Sequence, residues 1–104
     1  DPGLMWFVIF AEDHENSLEG RKQARPAHLE RLKTLQNDGR LLVAGPCPAI
    51  AELDPGVLGF TGSVVIAEFD SQEEAEQWAN DDPYWQAGVY KKATVKPFNA
   101  VLPN

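Results

Sequence analysis

The chain has few of the residues that build disulfides, metal sites and cofactor pockets. Its single cysteine, Cys47, cannot form a disulfide within the chain and excludes a zinc site built on paired thiolates. The two histidines, His14 and His28, have no metal-ligand spacing with each other or with Cys47, so we predict no metal. Because the sequence also lacks a phosphate-binding glycine loop and a dinucleotide fingerprint, we expect no cofactor.

Basic residues are also scarce. Nine Lys and Arg stand against 16 Asp and Glu, which gives a formal net charge of -7. Such a charge repels phosphate backbones and anionic lipids, so we expect neither nucleic acid nor a membrane as a partner. No apolar run approaches the roughly 20 residues that cross a bilayer. With one cysteine and no recognisable signal peptide, the expected location is cytoplasmic.

The length of 104 residues and the hydrophobic content of 43% are typical of one globular domain. The only methionine, Met5, follows four residues of mixed character, D-P-G-L. We therefore expect residues 1–4 to have been added ahead of a natural start at Met5. A single domain would then occupy residues 5–104.

Hydrophobic patterning predicts four strands and two helices in the order β-α-β-β-α-β. The strands are the apolar and β-branched runs at 5–11, 41–44, 63–69 and 89–98. The first helix covers about 17–37, and Pro26 either kinks it or opens a second segment. The second helix runs to about Asn80 behind a capping box of Ser71 and Glu74.

Two shorter segments complete the predicted order. Asp82-Pro83 begins a brief helical turn that ends near Gly88, where a glycine supplies the left-handed conformation that helix ends favour. The stretch 49–62 holds three glycines and Pro55, and we expect a flexible or functional loop there.

This order of elements is the split βαβ arrangement, a ferredoxin-like α+β fold with a four-stranded antiparallel sheet and both helices on one face. The first and third strands are apolar at successive positions, so the second face of the sheet also needs a cover. Two sheets packed face to face would supply it. We therefore predict a homodimer or a larger even oligomer.

His28 is the first candidate for chemistry. On a helix, His28, Leu32 and Leu35 share the stripe that packs toward the sheet, and Arg25 lies one turn earlier on the same face. An imidazole is well suited to exchanging protons near neutral pH. The alternative is a structural histidine at the edge of the core.

Asp82, in the segment D-P-Y-W, is the second candidate. An aspartate before proline is a common helix N-cap, and the same carboxylate could orient His28 because both helices lie on one face of the sheet. Gly45-Pro46 and Gly62-Ser63 lie at strand ends beside the long loop, where backbone N–H groups and a hydroxyl could meet a ligand. The alternative for these residues is turn formation, and for Tyr84 it is a place in the core.

Several segments together resemble the YciI-like protein family. They are R-P-A-H-L-E-R-L at 25–32, G-R-L-L-V-A-G-P at 39–46, G-F-T-G-S at 59–63, D-P-Y at 82–84, G-V-Y at 88–90 and V-K-P-F at 95–98. The resemblance implies a ferredoxin-like fold that dimerises through its sheets as a dimeric α+β barrel. It also implies an active site centred on a histidine and an aspartate, which fall by position on His28 and Asp82.

The resemblance also bears on the reaction, because one relative is a dehydrochlorinase of a chlorinated hydroxyquinone, which needs proton transfer and no cofactor. We therefore predict a cofactor-independent acid–base enzyme, of lyase or hydrolase type, for a small anionic or phenolic substrate. His28 would exchange the proton, and Asp82 would orient the His28 ring. The substrate would be bound by Arg25, Ser63, Tyr84, Gly45 and Pro46. The alternative is a small-molecule-binding or regulatory module that uses the same pocket without catalysis.

Overall fold

The computed structural model describes residues 4–103 and has the predicted order of elements. Asp1 to Gly3, which make up most of the segment expected to precede the natural start, lie outside the described residues. The elements are β1 (Met5–Asp13), α1 (Leu18–Asn37), β2 (Leu41–Pro48), β3 (Phe60–Phe69), α2 (Gln72–Asn80), α3 (Pro83–Gln86) and β4 (Tyr90–Phe98). None of the helices within residues 4–103 has the length and apolar content needed to cross a membrane.

The four strands form one sheet in the order β2-β3-β1-β4, and every neighbouring pair is antiparallel. At the centre of the sheet, Ile9 of β1 lies opposite Val65 of β3 on one side and Val95 of β4 on the other. This topology confirms the predicted ferredoxin-like α+β fold.

Alternation along the strands separates two faces of the sheet. On β1, Phe7, Ile9 and Ala11 are buried, whereas Val8 is only partly buried and Phe10 is exposed. The buried face packs against both long helices, through Leu32 and Leu35 of α1 and Ala75 and Ala79 of α2. The other face has no cover within the described chain.

The structure decides between the two interpretations of Pro26. α1 continues through Pro26 as one helix of 20 residues and does not restart there. The proline lies on the exposed side of the helix, so its ring faces away from the packed interface. The missing N–H removes only the hydrogen bond that residue 26 would have donated one turn back.

The connection between β2 and β3 is shorter than the expected loop 49–62. β2 continues through Gly45 to Pro48 and β3 begins at Phe60, which leaves residues 49–59 and a short 3-10 turn at Gly56–Leu58. Pro46 and Pro48 ended the predicted strand because proline donates no ladder hydrogen bond. β2 is an edge strand, so these prolines are tolerated there.

Gly20 allows α1 to approach the end of α3 closely. A Cβ atom at this position would lie 2.6 Å from the carbonyl oxygen of Ala87 and 3.2 Å from Val89. Because the nearest atom belongs to the backbone, it cannot move aside as a flexible side chain would. The absence of a side chain at Gly20 therefore sets the distance between α1 and α3.

We predict that Gly20→Ala destabilises the protein by about 1–3 kcal/mol, the usual effect of overpacking. At an unobstructed helix position the same change would stabilise by roughly 1 kcal/mol, because alanine favours the helix. Urea unfolding measures the difference, with Gln23→Ala on the exposed side of α1 as the control. A Gly20→Ala variant more stable than the parent would contradict this account of the α1–α3 contact.

Candidate functional site

The structure brings His28 and Asp82 into direct contact, although 54 positions separate them in the chain. His28 lies in α1 on the stripe that faces the sheet, and its Nδ1 is 2.8 Å from Oδ2 and 3.0 Å from Oδ1 of Asp82. The two residues are only 7% and 4% exposed. The pair is therefore shielded from bulk water on nearly all sides.

Asp82 has its predicted capping position at the start of α3. Its Oδ1 accepts a hydrogen bond of 2.9 Å from the backbone N–H of Tyr84, and Pro83 occupies the first turn. The cap fixes the carboxylate relative to the backbone of α3. Capping and contact with His28 are thus performed by the same side chain, and the two interpretations of Asp82 do not exclude each other.

The contact with Asp82 determines which nitrogen of His28 carries hydrogen. A carboxylate only accepts hydrogen bonds, so Nδ1 must be the donor, and Nε2 of the neutral ring keeps its lone pair. The imidazole also stacks on the ring of Tyr84, with centroids 4.1 Å apart and planes 9° from parallel. Asp82 and Tyr84 together fix both the tautomer and the plane of the ring.

Arg31 makes a second contact with the carboxylate from α1. Its Nη1 lies 3.4 Å from Oδ2 of Asp82, while Nη2 donates a 2.6 Å hydrogen bond to the carbonyl of Trp78. The guanidinium also lies over the Trp78 ring, 4.2 Å from its centroid. Asp82 is therefore held to α1 by two side chains and to α3 by a backbone donor.

A buried ion pair joins Arg21, two turns before His28 on α1, to Asp13 at the end of β1. Arg21 Nε and Nη2 donate to the two oxygens of Asp13, at 2.6 and 3.1 Å. Nη2 also donates to the carbonyl of Gly62 and to the hydroxyl of Ser63, at 2.9 and 2.8 Å. This Arg21–Asp13 cluster joins α1 to β1 and β3 beside the histidine.

Arg21 and Asp13 were not among the predicted site residues, although the sequence carries a signal for both. The stripe of His28, Leu32 and Leu35 continues backward through Arg25 to Arg21 at helical spacing. Asp13 continues the alternation of the buried β1 residues beyond Ala11. Extending the helix stripe by one turn predicts a buried Arg21, and extending the strand alternation by two residues predicts a buried Asp13. The two charges would then lie on facing surfaces.

Burial alters the titration of three groups around the site. Burial lowers the pKa of Arg21, but hydrogen bonding and the charge of Asp13 outweigh it and raise that pKa above its usual value. Burial raises the pKa of the Tyr84 hydroxyl. Burial also raises the pKa of Tyr90, and this effect is larger than the lowering caused by a hydrogen bond with Ser63. Both phenols therefore stay neutral near pH 7 and can donate hydrogen bonds.

A pocket of about 170 Å³ opens between α1 and the strands β2 and β3. Of the predicted site residues, the structure brings six to its lining, and Asp82 lies in contact with one of them, His28. The six are Arg25, His28, Gly45, Pro46, Ser63 and Tyr84, and Arg21 joins them. An engineered protein cavity of similar size binds benzene. The space is therefore suited to a molecule with a single ring.

Two of the lining residues differ in how free they are to bind a ligand. Ser63 is buried, and its hydroxyl accepts from Arg21 and also makes a hydrogen bond with Tyr90. Arg25 is exposed and, within residues 4–103, makes no ion pair. In the same range, no three His, Cys, Asp or Glu side chains are grouped as metal ligands would be.

Comparison with known proteins establishes the family. The model of the YCII-related domain matches residues 5–99, nearly the whole chain. The chain belongs to the YCII-related family. The resemblance expected from its motifs is thereby confirmed. Protein YciI of Escherichia coli O6:H1 (strain CFT073) is 58% identical over 98 residues, which cover 94% of this chain and all of the relative.

Solved structures similar to this YCII-related chain include an enzyme. The 5-chloro-2-hydroxyhydroquinone dehydrochlorinase TftG from Burkholderia phenoliruptrix AC1100, in complex with 2,5-dihydroxybenzoquinone, superposes with a TM-score of 0.79 at 28% identity, covering 91% of this chain and 94% of TftG. A dimeric protein of unknown function and ferredoxin-like fold from Bacteroides fragilis superposes with a TM-score of 0.50 at 11% identity, covering 92% and 95%. The second similarity supports the fold alone.

We predict that Arg21→Met destabilises the protein by about 3–5 kcal/mol, because it leaves the buried Asp13 carboxylate without its partner. The double variant Arg21→Met/Asp13→Leu should regain a large part of that loss, since both charges are removed. Urea unfolding measures each variant, with the exposed Lys33→Met as the control. A double variant no more stable than Arg21→Met would show that the two side chains are not energetically coupled.

Proposed function

We propose that the chain is a cofactor-independent acid–base enzyme acting on a small anionic or phenolic ring compound. The observation that carries the proposal is the hydrogen bond from His28 Nδ1 to Asp82, 2.8 Å long and buried. It leaves Nε2 as the basic nitrogen of a residue that lines a ring-sized pocket. A base fixed in one tautomer beside a sheltered pocket is what proton abstraction requires.

In the proposed step, Nε2 of His28 removes a proton from the substrate, and the ring becomes an imidazolium. Asp82 stabilises the new positive charge through the existing hydrogen bond without taking the proton itself, as a buried carboxylate does beside a catalytic histidine. If the substrate carries chlorine, the electron pair of the broken bond to hydrogen forms a new double bond. Chloride leaves with the electron pair of the carbon–chlorine bond. The net change is loss of HCl, so no oxidant or reductant is consumed.

Arg25 and Ser63 supply the proposed binding groups for substrate oxygen atoms. Arg25 offers a positive charge at the pocket, and charge-assisted hydrogen bonds are about twice as strong as neutral ones. The Ser63 hydroxyl accepts from Arg21, and its hydrogen would turn from Tyr90 to the bound ligand. Tyr84, Gly45 and Pro46 complete the walls.

The similarity to TftG supports this choice of chemistry. TftG is named for removing chloride from a chlorinated hydroxyhydroquinone and was solved with a dihydroxybenzoquinone, which is a single oxygenated ring. At 28% identity over 91% of this chain, we carry over the class of reaction and the size of the ligand. The 170 Å³ pocket agrees with a ligand of that size.

We predict that His28→Gln lowers turnover of 5-chloro-2-hydroxyhydroquinone by about 10²–10⁴-fold, the usual contribution of a general base. Asp82→Asn should also lose activity, because an amide no longer selects the tautomer with a free Nε2. Chloride release measures the rate, and the exposed His14→Gln is the matched control. Full activity in His28→Gln would refute the assignment. Equal binding of 2,5-dihydroxybenzoquinone by parent and variant, with no chloride released by either, would favour the binding module.

We also propose that the uncovered face of the sheet forms a homodimer interface. On this face, Phe10 is 43% exposed and Val43 is 53% exposed. The same face also carries Val8, Val64 and Ile66. Pairing two such faces would remove this apolar area from water, at roughly 25 cal/mol for each Å² buried. On the edge strand β4, the same face carries Lys92, which pairs with Glu12, and Lys96, so the charges lie along one side of the apolar area.

We predict that the parent chain has twice its 11.5 kDa mass in solution and that Phe10→Glu halves the observed mass. A carboxylate at the centre of the interface would be buried without a partner, which is strongly unfavourable. Light scattering after size-exclusion chromatography gives the mass, with the exposed helix variant Thr34→Glu as the control. A parent chain that is monomeric at micromolar concentration would overturn the interface.

A further inference from the structure

A second hollow of about 350 Å³ adjoins the His28 pocket, between α1 and the β2–β3 connection. The two share four lining residues, Arg21, Arg25, Pro46 and Tyr84. We call the 170 Å³ space the inner chamber and the 350 Å³ space the outer chamber. Because they share these four residues, the two chambers lie side by side.

The outer chamber is cationic in a chain that is otherwise acidic. Arg21, Lys22 and Arg25 line it, which is three of the nine Lys and Arg residues, and no carboxylate does. Arg21 is neutralised by Asp13, but Lys22 and Arg25 are exposed and have no ion-pair partner within residues 4–103. Asp54 lines a neighbouring hollow with Lys22, and its Oδ1 accepts from the N–H of Gly56.

The remaining wall of the outer chamber is apolar. It includes Leu18 and Phe60, which are partly buried, and Leu53, which is 100% exposed. Covering a leucine side chain that is wholly exposed is favourable, because it removes apolar surface from water. The outer chamber therefore combines an apolar surface with two unpaired positive charges.

We infer that the ligand of this chain has two parts: a phenolic or enolic ring, and a short apolar chain that ends in a carboxylate. The placement of the ring in the inner chamber rests on the proposed function. The chain would lie against Leu53 and Phe60 in the outer chamber. Its carboxylate would pair with Lys22 and Arg25, which both line the outer chamber. This ligand is larger than the 2,5-dihydroxybenzoquinone bound by TftG.

The test compares three probes by NMR titration of the full chain: phenol, 3-(4-hydroxyphenyl)propanoate and the methyl ester of that acid. The acid should bind about fivefold more tightly than its ester, because the ion pair that only the acid forms at an exposed site raises affinity by up to about that factor. Its addition should shift signals of both His28 and Leu53, whereas phenol should shift those of His28 alone.

Two substitutions then test the contacts. Lys22→Gln should reduce the preference for the acid over the ester, because only Arg25 then remains to pair with the carboxylate. Leu53→Asp should also reduce it, by adding a negative charge at the wall. Lys33→Gln is the matched control, since it removes the same charge from the same helix about 16 Å away, beyond the roughly 8 Å screening length at physiological salt. Both altered residues are exposed, so neither change threatens the fold.

The outcomes separate this inference from the proposed function. Equal affinity for acid and ester, an unchanged preference in Lys22→Gln, or no binding of any probe would overturn the two-part ligand. None of these measurements involves turnover, so each can fail while His28→Gln still loses activity. Conversely, tight binding of the acid with no chemistry on any substrate would leave the two-part ligand standing and remove the enzyme.

Discussion

The hydrogen bond between His28 and Asp82 is the constraint on which the arrangement of the site depends. It connects the middle of α1 to the N-cap of α3, two elements that the chain itself does not place together. α1 also lies close to the end of α3 at Gly20, where a Cβ atom would lie 2.6 Å from the carbonyl oxygen of Ala87. The same carboxylate caps α3, so the segment that carries it is held at both its backbone and its side chain.

Polar groups replace part of the core between α1 and the sheet. The buried apolar residues fall into two clusters, one around Phe7 and Leu35 and another around Tyr84 and Val89. Tyr84 is stacked on His28 and its ring lies 5.1 Å from the guanidinium of Arg21, so it separates the His28–Asp82 pair from the Arg21–Asp13 ion pair. Buried ion pairs are rarely more stabilising than apolar residues of similar volume. Two buried polar pairs in so small a core support the proposal that this part of the fold serves binding or chemistry.

The sequence predicted the fold because its signals are local and agree with one another. Apolar runs, the capping residues Ser71 and Asp82, and Gly88 at the end of α3 each mark an element boundary that the structure reproduces to within a few residues. The end of β2 was misplaced because proline breaks a strand only where a ladder hydrogen bond is needed. Whether β2 lies at the edge of the sheet is a property of the whole fold, so the four residues around Pro46 could not reveal it.

The sequence predicted which residues lie together at the candidate site, but it did not predict the distances between them. Helical spacing placed His28 and Arg25 on the inner face of α1, and topology placed Asp82 on the same side of the sheet. Neither gave a distance, since distance depends on how closely the helices pack. Arg21 escaped notice because buried arginines are rare, and its burial follows from the long-range partners Asp13 and Gly62.

The tautomer of His28 tests the central claim most directly. Correlation of the ring nitrogens with the ring protons by ¹⁵N NMR, at a pH where the imidazole is neutral, identifies which nitrogen carries hydrogen. The account predicts protonated Nδ1 and bare Nε2 in the parent chain, and loss of that selection in Asp82→Asn. A neutral ring with hydrogen on Nε2 in the parent chain would contradict it, because the nitrogen proposed as the base would then have no lone pair to offer.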